Sequence, residues 1–116
     1  VLELIRAAGV PMFLVSNTEE THWFLIEHLL VIRQYFPPDS VRCIRSFNIG
    51  TRMPEEKFFR IALRRSEVPA ENILFVDDVP ENLMMFEALG GRACRYDCRT
   101  DKIAVLQSSV RRFLAA

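Results

Sequence analysis

What the sequence lacks narrows it first. Neither charge is in excess: 15 Lys+Arg stand against 15 Asp+Glu in 116 residues, leaving no net charge. Nucleic acid and anionic membranes both call for clustered positive charge, so neither is expected as a partner. The basic pairs Arg64-Arg65 and Arg111-Arg112 are too short to alter that. No apolar run approaches the roughly 18 residues of a membrane span, and no secretory signal is visible. Cysteine is scarce and odd in number. Cys43, Cys94 and Cys98 have no metal-ligand spacing and no nearby His, which points to reduced thiols rather than a zinc site or disulfide. These absences lead to the expectation of a soluble, cytoplasmic domain.

What is present is enough for a core. Half the residues are hydrophobic and 10% aromatic, and at roughly 150 residues per domain the chain amounts to one domain or part of one. The first residue is Val1 rather than Met, and the helical spacing of Leu2 and Ile5 begins at once, so an upstream segment is expected.

Along the chain, strand and helix signals alternate. An opening helix stops at Gly9. Met12–Val15 reads as a buried strand closed by Ser16-Asn17-Thr18. A helix is expected from Thr18, with Glu19 and Glu20 in its first turn, carrying Phe24, Leu25, Leu29 and Ile32 inward and stopping before Pro37-Pro38. Val41–Ser46 is a weaker strand signal. Pro54 suits a helical first turn ahead of the apolar stripe Phe58, Phe59, Ala62 and Leu63. Ile73–Val76 reads as a parallel strand covered on both faces, and it runs into Asp77-Asp78. A short helix to Leu89 ends at Gly90-Gly91. Arg92–Tyr96 is the last strand, and Ile103, Leu106, Val110 and Phe113 mark a closing amphipathic helix. His22, Trp23 and His28, and the stripe Leu83, Met84, Met85 and Phe86, are read as packing residues.

This alternation predicts an α/β fold with an open parallel sheet and helices on both faces, ligands lying beyond the carboxyl ends of the strands. Two strand ends are conspicuously polar, Ser16-Asn17-Thr18 and Asp77-Asp78. Adjacent carboxylates repel unless a cation offsets them, and Mg²⁺ is the natural candidate. Asp78 has a competing explanation: Asp78-Val79-Pro80-Glu81 has capping-box spacing, so it could simply cap the next helix. Ser16 could hold a phosphate with its hydroxyl and nearby backbone N–H groups, or belong to an ordinary turn.

Three segments together carry a resemblance: Phe13-Leu14-Val15-Ser16-Asn17-Thr18, Gly50-Thr51-Arg52-Met53-Pro54-Glu55-Glu56-Lys57-Phe58-Phe59, and Ile73-Leu74-Phe75-Val76-Asp77-Asp78-Val79-Pro80-Glu81-Asn82. In this order the chain resembles the haloacid dehalogenase (HAD) superfamily, closest to its phosphatase-like hydrolases with a helical cap; Thr21-His22-Trp23 is similar to one branch. The likeness runs from about Val1 to Tyr96 and covers the C-terminal half of that core. It implies a three-layer Rossmann-like sheet lacking its first, central strand, as a single partial core domain over residues 1–116 with no cap domain. It implies phosphomonoester hydrolysis through an aspartyl-phosphate and Mg²⁺, with Ser16 and Asn17 on the phosphate of a small molecule and Asp77 and Asp78 on the metal.

Two departures bear on activity. The family's nucleophile lies in an Asp-x-Asp motif on the first strand, and no Asp-x-Asp occurs here. The family's Lys before Pro is Met53, a thioether that carries no charge and donates nothing. Only Lys57 and Lys102 exist as other lysines; Lys57 is about one helical turn further on, and Arg52 is the adjacent cation. The chain alone is therefore expected to be inactive, either as the fragment of an enzyme or as a non-catalytic binding protein that kept the fold. The family's missing strand would lie between Met12–Val15 and Ile73–Val76, so a second copy or an N-terminal partner segment is expected to fill its place. A receiver-domain reading fits less well, because its paired acids belong after the first strand.

Overall fold

The computed structural model describes residues 1–19, 23, 34–36 and 42–116. The helix expected after Thr18, with Phe24, Leu25, Leu29 and Ile32, lies outside these residues, as do His22, His28 and Pro37-Pro38. Within the described residues the order is helix α1 (Leu2–Ala7), strand β1 (Leu14–Ser16), strand β2 (Cys43–Arg45), helices α2 (Ser46–Ile49) and α3 (Glu56–Ser66), strand β3 (Leu74–Asp77), helix α4 (Pro80–Ala88), strand β4 (Arg92–Arg95) and helix α5 (Ile103–Ala115). The chain divides into two compact units, Val10–Glu67 and Val1–Gly9 with Val68–Ala116.

In the first unit β1 and β2 pair in parallel, Leu14 opposite Cys43 and Ser16 opposite Arg45. Trp23, Phe36 and Cys43 form a buried cluster, with Met12, Leu14, Tyr35 and Phe47 packed against it. The stripe expected on α3 is the buried one at Phe58 and Phe59, whose rings meet edge to face with centroids 5.6 Å apart. Each such side chain contributes about 1.5–3 kcal/mol by leaving water. Pro54, however, is not in the first turn of that helix. It follows a cis Met53-Pro54 bond, and the helix begins at Glu56 with Glu55 as its N-cap residue. The local reason is a tight turn ahead of the helix: Glu55 N–H donates to the Arg52 carbonyl, and Arg52 N–H donates to Glu55 Oε1.

In the second unit β3 and β4 pair in parallel, Leu74 opposite Arg92 and Asp77 opposite Arg95. Phe75 and Phe86 meet edge to face at 5.3 Å, and Leu83, Leu106 and Val110 complete the core. Gly90 ends the turn after α4 at a φ of 94°, which glycine adopts at little cost. Gly91 is needed for a different reason, since a methyl group there would overlap the Phe86 ring.

Several expectations of burial fail: Met12–Val15, read as a buried strand, is only partly buried, and Met84 of the packing stripe is exposed. Val76 is 38% exposed, so β3 is not covered on both faces; only Phe75 of that strand is buried. Ile103 is half exposed although it shares a face with the buried Leu106 and Val110; it is the first residue of α5.

The four described strands thus form two separate two-stranded parallel ladders. In a parallel ladder alternate residues turn their main-chain groups to the partner. Ile73 C=O accepts from Arg92 N–H and Asp77 C=O accepts from Tyr96 N–H, so Leu74 and Val76 turn theirs away from β4. Leu14 N–H donates to Arg42 C=O, so Val15 turns its groups away from β2. No described helix is long and apolar enough to cross a membrane.

Candidate functional site

At the end of β1 the chain turns through Ser16-Asn17-Thr18, and this turn is tied down from two directions. The Asn17 side chain grips the backbone of Met53: Met53 N–H donates to Asn17 Oδ1 at 2.8 Å, and Asn17 Nδ2 donates to the Met53 carbonyl at 2.8 Å. The Ser46 hydroxyl accepts from Thr18 N–H at 2.9 Å and donates to the Thr18 carbonyl at 3.1 Å. The expected phosphate residues are therefore brought beside the segment that starts α3. Asn17 serves this turn through its amide, which spends one N–H and its oxygen on Met53 and keeps its second N–H. Met53 itself is buried, 6% exposed; its thioether packs in the interior, while Arg52 and Lys57 are exposed.

Asp77 is the last residue of β3, and both its carboxylate oxygens are held. Oδ1 accepts from Asp78 N–H at 2.9 Å and Oδ2 accepts from Asn82 Nδ2 at 2.7 Å. Burial pushes the Asp77 carboxyl above its ordinary value, while these two hydrogen bonds pull the other way and the neighbouring Asp78 adds to the rise. Asp78 is exposed. The capping explanation for Asp78 fails: α4 takes Val79 as its N-cap residue, with Pro80 in the first turn and no side-chain cap. Pro80 removes one of the unpaired N–H groups of the first turn, and Asn82 N–H donates to the Val79 carbonyl instead.

This donor set suits a hard divalent cation. Two carboxylates of one turn carry adjacent negative charge, one of them partly desolvated, and Mg²⁺ is typically held by one or two carboxylates with water and phosphate completing its shell. Among the described residues no group of three or more His, Cys, Asp or Glu is gathered, so nothing there resembles an all-protein metal cage. None of the three cysteines is in a disulfide.

Three contributors were not legible in the sequence. Asn82, buried at 5% exposure, orients Asp77 from one turn into α4; its i+5 spacing matches no common signal. Ser46 is a latch whose partner lies 28 residues earlier. Arg45 stands opposite Ser16 in the ladder, with its guanidinium 5.4 Å from the Trp23 ring centre and 5.3 Å from that of Phe47.

No protein-family model matches the chain, and no curated protein matches its sequence. Solved structures do match. The HAD family enzyme BT-2542 from Bacteroides thetaiotaomicron, in complex with magnesium and inorganic phosphate, superposes with a TM-score of 0.76 at 20% identity, over 86% of this chain and 51% of that one. Another structure of BT-2542 gives 0.78 at 19% identity, over 90% and 52%. Its magnesium complex gives 0.73 at 19% identity, over 90% and 53%. The chain spans about half the length of these neighbours and has the HAD-like, Rossmann-like α/β fold.

Proposed function

We propose that this chain is the phosphate- and magnesium-holding half of a HAD-type phosphohydrolase core, acting on a phosphorylated small molecule, with the nucleophile supplied by residues outside it. The observation that carries the reading is the polar turn at the end of β1. Ser16 sits where a strand gives way to a turn, and Asn17 and Ser46 hold that turn in place, which lowers the cost of ordering it around a ligand of the Ser16 hydroxyl. Asp77 and Asp78 would hold Mg²⁺, with Asn82 keeping one Asp77 oxygen in place. In phosphoryl transfer the chemistry such an ion supplies is neutralisation of charge on the transferring oxygens. The magnesium and phosphate carried by BT-2542 support the same ligands here.

The chain alone should not turn over. It has no Asp-x-Asp to attack phosphorus, and Met53 offers a buried thioether where the resemblance implies a lysine. That burial also favours a second reading, a non-catalytic HAD-like binding protein. In either case the edges of β1, at Val15, and of β3, at Leu74 and Val76, which have no ladder partner among the described residues, suit strand addition by a second copy or by an N-terminal partner segment.

The test is a melting curve with and without Mg²⁺. At ten times Kd a bound ion adds about 1.4 kcal/mol, or roughly 5–10 °C for a chain this small. The wild type should gain that shift and Asp77→Asn should lose it; a wild type indifferent to Mg²⁺ overturns the metal role.

A further inference from the structure

We infer that Arg45 is the cation of the phosphate site, supplying from β2 the charge that Met53 does not. The inference rests on the phosphate reading above and deepens it.

The argument starts from register. Arg45 is the last residue of β2 and the ladder partner of Ser16, the last residue of β1. Neighbouring strands lie about 4.8 Å apart, and register partners put their side chains on the same face. The guanidinium is then held by aromatic groups from the segments that follow the two strands, Trp23 after β1 and Phe47 in α2. Asn48, with its amide oxygen turned toward Arg45, accepts from Nε and Nη2. These contacts cost the long side chain its freedom before any ligand arrives. They leave further guanidinium donors unused, and no carboxylate pairs with Arg45 among the described residues.

A held guanidinium with no paired carboxylate among the described residues, on the strand-end residue that partners Ser16, is suited to an anion. Arginine is suited to it because its planar fork meets two phosphate oxygens at once and stacks on aromatic faces, which an ammonium group does less well. Arg52 and Lys57 are both exposed, whereas Arg45 is half-buried. The ligand class is a tetrahedral dianion such as a phosphate monoester.

The experiment is calorimetric titration of inorganic phosphate into the 116-residue chain, its Arg45→Met and Arg45→Gln variants, and Ser16→Ala, each checked for an intact melting transition. Losing a charge-assisted fork should weaken phosphate binding roughly tenfold or more in both Arg45 variants, and Ser16→Ala should weaken it too. Should Arg45→Met fail to fold, Arg45→Gln is read alone, since it keeps the stem length and a polar end. Phosphate binding unchanged in the Arg45 variants but weakened in Ser16→Ala overturns the role of Arg45 and leaves the phosphate site standing. A wild type that binds no phosphate overturns both.

Discussion

At the scale of single residues, the molecule shows where polar groups are well used and where they are not. Asn17 grips the Met53 backbone with both ends of its amide, two hydrogen bonds at 2.8 Å. Removing it strands a buried segment's N–H and C=O, so Asn17→Ala should cost about 1–3 kcal/mol in chemical denaturation. Thr51 is the opposite case. Its hydroxyl is buried with no hydrogen-bond partner, so the near-isosteric Thr51→Val should stabilise the chain by about 1 kcal/mol, read as a higher denaturation midpoint. Asp97 is held down to about 2, first by its hydrogen bonds from the Arg99 side chain and backbone. A folded value below the ordinary 3.8 means that its stabilisation is complete above about pH 4 and is lost as pH falls through 2. Asp97→Asn should therefore lower the melting temperature at pH 7 and lower it by progressively less toward pH 2. None of these roles could be read from the sequence. The Asn17 partner lies 36 residues away, and whether a threonine hydroxyl is satisfied depends on neighbours that only folding supplies.

At the scale of elements, periodicity carried most of the reading. The helix spanning Phe58 and Phe59, the closing helix around Leu106 and Val110, and the strand ending at the acid pair all occur within a residue or two of where apolar spacing put them. Boundaries failed where polar chemistry decides them. Ser46 ends the expected strand early because it starts α2, and Asp77 belongs to β3 although it is charged, since its main chain pairs with β4 while its carboxylate turns to Asn82. Coverage also failed. A continuous apolar run predicts two buried faces, but Val76 is exposed and Met84 on α4 is 67% exposed. The residue pattern is that of a strand with neighbours, and the ladder has one on a single side. Amide hydrogen exchange should register this directly: Phe75 and Asp77, bonded to β4, should exchange more slowly than Leu74 and Val76. Addition of a strand, by a second copy or a partner segment, should slow the latter pair. Equal protection of all four in a monomeric chain would contradict the open edge.

At the scale of the molecule, the fold was legible because three motifs in fixed order name a topology, and the HAD-like structures match it at about half their length. The site was legible only as residue types. Ser16, Asp77 and Asp78 could be picked from the sequence, whereas the contacts made by Asn82, Ser46 and Arg45 are tertiary facts. The central proposal is that the chain holds phosphate and Mg²⁺ but carries no attacking carboxylate of its own. The measurement that bears on it most directly is hydrolysis of p-nitrophenyl phosphate by the purified 116-residue chain with Mg²⁺ present, with Asp77→Asn and Ser16→Ala run beside it. No turnover above buffer is the expected result. Turnover by the wild type that disappears in both variants would contradict the account, for it would mean that this chain finds an attacking group of its own.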